Sequence, residues 1–122
     1  MLGEDSGLEV VALGGRPGVE TARWAQGWHV QRILEALADK DDRRARYVCE
    51  LVCFEPAGHE LRGTGTLEGS ITDEPCGTAG FGFDPVFVPQ GETQTVAELG
   101  DAWKVEHSHR ARAAKALLPK LG

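Results

Sequence analysis

The sequence predicts an α/β domain, a mixed β-sheet with flanking helices. Two patterns carry that expectation. Runs rich in Val, Leu, Cys, Tyr, Phe and Thr at residues 8–13, 45–55 and 60–68 read as strands. Apolar residues at helical spacing read as helices: Val30, Ile33, Leu34, Leu37 and Ala38, then Ala113, Ala114, Leu117 and Leu118.

Taken in order, residues 8–13 form the first strand, which Gly14-Gly15 and Pro17-Gly18 break. Residues 28–38 form the first helix, with Trp24 and Trp28 placed to pack it against the sheet. Residues 39–44 are a charged connection. Residues 45–55 are apolar at both parities, as in a central strand buried on two faces. Pro56-Ala57-Gly58-His59 is a hairpin tip, and residues 60–68 are the partner strand. Gly63, Gly65 and Gly69 in that strand point to bulges or to another backbone approaching closely. Residues 73–85 are irregular, 86–88 a short strand and 95–100 a helical turn. A last helix covers 106–118, with Pro119 as its stop.

The chain has 122 residues, enough for one domain with its own core. Its 41% hydrophobic and 26% charged residues are globular proportions and argue against disorder. Sixteen glycines and six prolines imply many tight turns. No apolar run is long enough to predict a membrane span. Met1-Leu2-Gly3-Glu4-Asp5 has neither the basic nor the apolar part of a signal peptide. Three cysteines without a C-x-x-C pair suggest a reduced, cytoplasmic protein. A net charge of −6 disfavours a general nucleic-acid binder. Residues 104–122 nonetheless carry Lys104, Arg110, Arg112, Lys115 and Lys120 against Glu106. That tail is either a solvated helix face or a local anion site.

Three segments bring together residues able to do chemistry. In Glu4-Asp5-Ser6-Gly7, two carboxylates precede a hydroxyl and a glycine, which suits a hard cation or an activated water as well as a plain acidic turn. In Gly80-Phe81-Gly82-Phe83-Asp84-Pro85, aromatics alternate with glycines beside a carboxylate. Such rings either stack on a planar base or plug the core, and Asp84 can accept from a base edge. Lys104 with Ser108-His109-Arg110 gathers donors for a phosphate or a keto oxygen. His107 and His109 invite a zinc reading, but His29 and His59 give no supporting ligand spacing. A serine hydrolase is disfavoured because no G-x-S-x-G occurs. Cys49 and Cys53, four apart on a strand, read as core thiols.

In sequence, these segments resemble a known family. Residues 4–23 are similar to the [DE]-D-S-G-L-x-V-x-A-L-x-G-x-P-G-x-x-S-A-R stretch of the inosine/xanthosine triphosphate pyrophosphatases, the Ham1-like family. Residues 80–87 resemble its G-F-G-[YWF]-D-P-x-F segment, and Lys104 with Ser108-His109-Arg110 resembles its K-x-x-x-S-H-R segment. The likeness runs from Gly3 to the C-terminus. It implies the family fold and hydrolysis of ITP, dITP or XTP to the monophosphate and pyrophosphate, with Mg²⁺. By that resemblance Asp5 acts on the attacking water, and Glu4 with Asp5 lies at the metal. Phe81 and Phe83 surround the base, Asp84, Ser108, His109 and Arg110 recognise it, and Ser6 and Lys104 contact substrate.

Against the family pattern the chain is short at its N-terminal end. The family's first strand with its T-x-N-x-x-K segment, its first helix and a metal-binding glutamate have no counterpart here. His29 replaces a usual Asn and Thr21 a usual Ser. Two expectations therefore stand side by side: an active pyrophosphatase, and an impaired purine-nucleotide-binding or dimerisation module. The expected partners are a purine nucleotide and a second copy of the chain, with no nucleic acid and no membrane.

Overall fold

The computed structural model describes residues 2–18, 21, 27–78 and 82–121. Five strands form one sheet in the order β2-β1-β3-β4-β5, and every described pairing is antiparallel. They are β1 (Leu2–Val10), β2 (Arg16–Gly18), β3 (Arg44–Phe54), β4 (Glu60–Ile71) and β5 (Phe87–Pro89). The helices are α1 (His29–Ala36), α2 (Val96–Leu99), α3 (Asp101–His107) and α4 (His109–Leu121). No helix among the described residues is long and apolar enough to cross a membrane.

β1 begins earlier than its sequence pattern suggests. Glu4-Asp5-Ser6-Gly7 lies inside the strand rather than in a turn before it, and residues 11–13 form a 3-10 turn. The reason is tertiary: residues 2–10 pair along their whole length with β3. β3 and β4 form the expected hairpin. β3 is not buried on two faces, however. Ala45, Tyr47, Cys49 and Leu51 are buried while Arg44, Arg46 and Phe54 are exposed, an alternation that follows from the two-residue pleat.

Register assigns the two faces. Leu8, Tyr47 and Leu67 align across three strands, as do Ser6, Cys49 and Gly65. Their side of the sheet carries the main core, including Leu8, Val10, Ile33, Leu37, Tyr47, Phe83 and Phe87. A second cluster joins Cys49 and Leu51 to Ala113 and Leu117 of α4. The opposite face carries aligned Glu9, Arg46 and Glu68, with Arg46 Nε 2.6 Å from Glu9 Oε1. Such exposed pairs keep the open face polar and add little stability.

α1 buries Ile33, the residue that follows its last turn, Leu37, is buried too, and Gln31, Arg32 and Glu35 face outward. Its end is tied to the sheet by Arg43, whose guanidinium donates to the carbonyls of Leu37, Ile71 and Thr72 at 2.7, 3.2 and 2.6 Å. Trp28, expected to pack this helix, is 65% exposed, and Trp24 lies outside the described residues. The short α2 starts with a capping box between Thr95 and Glu98.

The close approach signalled by Gly63 and Gly65 comes from α4. A Cβ on Gly63 would lie 2.5 Å from the Ala113 carbonyl oxygen, and one on Gly65 would overlap the backbone at His109 and Ala113. The single helix expected over 106–118 is two, broken at Ser108. The Ser108 backbone is extended, and its Oγ accepts from the Ala111 N–H at 3.1 Å, which caps α4. Pro119 does not stop α4, which runs on to Leu121. Replacing Gly65 with Ala should force α4 off the sheet and cost about 2 kcal/mol or more in urea unfolding. An unchanged midpoint would show that the helix is not seated on this glycine.

Candidate functional site

Where β1 and β3 meet the start of α4, a cavity of about 450 Å³ opens on the covered face. Its lining includes Ser6, Phe83, Asp84, Lys104, Ser108, His109 and Arg110, brought together from segments far apart in the chain. That volume lies within the usual range for small-molecule sites. A larger groove, about 900 Å³, runs between the Gly14-Gly15 turn and residues 90–92 and holds none of the predicted site residues.

Each wall has a structural cause. β1 brings Ser6 into the cavity because Ser6 shares a face with Leu8. The 3-10 turn at Asp84–Val86 follows Phe83 and buries Asp84. α3 brings in Lys104, and the break at Ser108 aims the first turn of α4 back over the sheet. Phe83 lines the cavity but is only 3% exposed, with its ring edge-on to His29 at 4.9 Å. It braces the wall more than it offers an open stacking face. Phe81 lies outside the described residues.

The polar centre is Asp84. Lys104 Nζ donates to its Oδ2 at 2.7 Å, and the Tyr47 hydroxyl donates to its Oδ1 at 3.1 Å. A buried carboxylate needs such partners to remain charged. Tyr47 also stacks on His109 at 4.6 Å between ring centres and packs on Phe87 at 4.5 Å. Burial, with the Asp84 charge second, pushes the Tyr47 hydroxyl well above its ordinary range, so it stays a neutral donor. Sequence reasoning passed over Tyr47 as one apolar residue in a strand. The available signal was that it is the chain's only tyrosine, and a buried tyrosine hydroxyl usually requires a partner.

His109 is held neutral. Burial first, then the neighbouring Arg110 charge, lowers its pKa from 6.5 to about 4. Its Nδ1 is buried and has no hydrogen-bond partner among the described residues. Ser6 Oγ donates to the Glu4 carboxylate, which Arg110 also engages, and Ser108 Oγ accepts from the Ala111 N–H that caps α4. The cavity thus offers ring walls, one charged acceptor and two cations at Lys104 and Arg110. It can hold a planar heterocycle with an anionic group.

Glu4 and Asp5 separate. Glu4 is on the covered face, where Arg110 Nη2 lies 2.6 Å from its Oε1. Asp5 is on the opposite face, lining a small hollow with Glu9, Val48 and Glu50. Cys49 is buried beside Ser6 and Arg110, and burial raises its thiol pKa, as suits an inert core thiol.

An antiparallel sheet carrying helices and a cavity on its covered face defines an α/β domain. Comparison with known proteins makes this specific: the Ham1 family profile matches residues 1–120, and the chain belongs to that family. It is 44% identical to the dITP/XTP pyrophosphatase of Bdellovibrio bacteriovorus, covering 99% of this chain and 64% of that protein. It is 46% identical to the protein of the same name from Rhodospirillum centenum, covering 98% and 63%. The solved Ham1 protein of Staphylococcus aureus superposes with a TM-score of 0.92 at 36% identity, over 98% of this chain and 65% of that one. The nucleoside-triphosphatase / dITP/XTP pyrophosphatase of Mycobacterium abscessus gives 0.81 at 41% identity, over 99% and 65%. The chain therefore spans less than two thirds of the length of these relatives.

The His109 environment gives a pH prediction. The unfolded imidazole takes up a proton near pH 6.5 and the folded one only near pH 4. Between those values the unfolded state binds more protons, so this residue's contribution to stability is complete above pH 6.5 and is lost as pH falls towards 4. His109→Asn should flatten the thermal-stability profile across that window. If both proteins lose stability in parallel, His109 is not held neutral by the fold.

Proposed function

We propose that this chain supplies the base-binding part of a pyrophosphatase that hydrolyses non-standard purine nucleoside triphosphates, ITP, dITP and XTP, to the monophosphate and pyrophosphate. The carrying observation is that Ser6, Phe83, Asp84, Lys104, Ser108, His109 and Arg110, distant in sequence, line one cavity around the buried Asp84 and its half-buried partner Lys104. The names of the relatives point the same way.

The chemistry is consistent with these residues. Hypoxanthine and xanthine present a 6-keto acceptor where adenine presents an amino donor. Fixed donors such as Lys104 and Arg110 pair with the keto oxygen and are left unpaired by the amino group, which penalises adenine nucleotides. In the hydrolysis, a water oxygen bonds to the α-phosphorus, the bond to the bridging oxygen breaks, and pyrophosphate leaves with that electron pair. Such a transfer requires positioning and charge neutralisation rather than a protein nucleophile. By the family resemblance Asp5 is the proposed acceptor of the water's proton, a role that requires the phosphates to pass from the cavity across β1 to the face on which Asp5 lies.

The resemblance also implies Mg²⁺. Glu4 and Asp5 do not form one site for it, because the pleat aims them at opposite faces and Glu4 is engaged by Arg110. Among the described residues no three His, Cys, Asp or Glu side chains cluster as ligands. Mg²⁺ keeps several waters and takes one or two carboxylates together with substrate phosphates, so of the two acids Asp5 is the one placed to supply such a ligand.

Pyrophosphate release from ITP, XTP and dITP should be measured in Mg²⁺ buffer, with IMP binding measured alongside. Asp5→Asn should lower release by about 100-fold or more while leaving IMP binding unchanged, since Asp5 lies on the other face from the cavity. Undiminished release in Asp5→Asn overturns its role as base. IMP binding without release by the wild type identifies a nucleotide-binding module instead.

We further infer a homodimer in a reducing, cytoplasmic compartment. Leu118 and Leu121 are exposed three residues apart on α4, where a second copy would cover them, and the three cysteines are free. Light scattering should give twice the chain mass, and a monomer at every concentration overturns the dimer.

A further inference from the structure

Glu4 does not line the cavity, whereas Arg110 and Ser6 do. It stands behind Arg110. Both Nε and Nη2 of Arg110 donate to Glu4 Oε1, at 3.1 and 2.6 Å, and Ser6 Oγ donates to the same oxygen at 3.1 Å. Resting on the nucleotide reading of this cavity, we propose that Glu4 is a positioning residue: it orients the Arg110 guanidinium toward the bound purine nucleotide and reaches the ligand only through it.

The geometry supports this role over that of a metal ligand. A guanidinium has five N–H donors in a fixed plane. Glu4 takes the edge formed by Nε and one Nη2 hydrogen, the buried Cys49 sulfur also accepts from the guanidinium, and the N–H groups left over face the cavity for a ligand. Arg110 opens α4 and Glu4 lies within β1, so the pair joins two elements 106 positions apart. Asp5 cannot substitute, because the pleat places it on the opposite face.

Exposure indicates what the pair contributes. The side chains are 56% and 34% exposed, and pairs of that kind add little to fold stability. What Glu4 supplies is direction. An untethered arginine must surrender rotamer freedom on binding, and one already held by a carboxylate has done so beforehand. Ser6 completes the arrangement by holding the carboxylate oxygen from the cavity side.

The test is calorimetric titration of the whole chain with IMP, for wild type, Glu4→Ala, Arg110→Ala and the double variant. Each single change should weaken IMP binding about 5- to 10-fold, the size of one charge-assisted contact. The double variant should bind no more weakly than Arg110→Ala alone, because the effect of Glu4 passes through Arg110. Additive losses overturn the proposal, as does a Glu4→Ala variant with wild-type IMP binding and only a shifted Mg²⁺ dependence of ITP hydrolysis. The Arg110 Nε–H resonance of the ligand-free chain gives a second readout. It should be exchange-protected in the wild type and lose protection in Glu4→Ala, and an unchanged signal overturns the proposal. If the wild type fails to bind IMP, the nucleotide reading of the cavity falls, and the resonance still decides whether Glu4 orients Arg110.

Discussion

The seating of α4 on the two glycines of β4 is the constraint on which the site depends. With hydrogens alone at Gly63 and Gly65, the helix backbone comes within touching distance of the strand. Ala113 and Leu117 then pack against Cys49 and Leu51 of the neighbouring strand. The first turn of α4 consequently lies over the sheet, with His109 stacked on Tyr47 and Arg110 reaching Glu4. A side chain at either glycine would lift that turn and remove the upper wall of the cavity.

Below it, the central strand provides the floor. Tyr47 touches three pocket residues at once: its hydroxyl holds Asp84, and its ring lies against His109 and Phe83. With Lys104 on the other oxygen, both carboxylate oxygens of the buried Asp84 accept a hydrogen bond. Such an ion pair adds little net stability, because removing charge from water offsets most of the attraction. Here the pair ties α3 to the Asp84–Val86 turn. The polar network is therefore also what gives the pocket its shape.

Much of the site was legible in the sequence because it is written in short contiguous strings. Residues 4–7, 82–85 and 104–110 each bring their functional side chains within a few positions of one another. The helix around Ile33 and Leu37, the hairpin at Pro56-Ala57-Gly58-His59 and the glycine signal for a close approach were legible for the same local reason. Three features were not. The break at Ser108 depends on α4 turning back onto the sheet. Tyr47 matters only because Asp84 and His109 arrive beside it from far along the chain. The length of β1 depends on β3 being there to pair with it.

The sequence by itself determined the class of fold and, through the likeness of its motifs, the family and several of the residues that line the cavity, because period, turn chemistry and short motifs are local properties of the chain. Tertiary structure decided which way those residues point. Adjacent acids look equivalent in a string, yet a strand's two-residue period sends Glu4 to Arg110 at the cavity and Asp5 to the open face. Partners such as Tyr47 for Asp84, or Arg43 for the end of α1, are fixed only when strands and helices close on one another. Direction and partnership are relations between distant segments, and only the folded chain contains them.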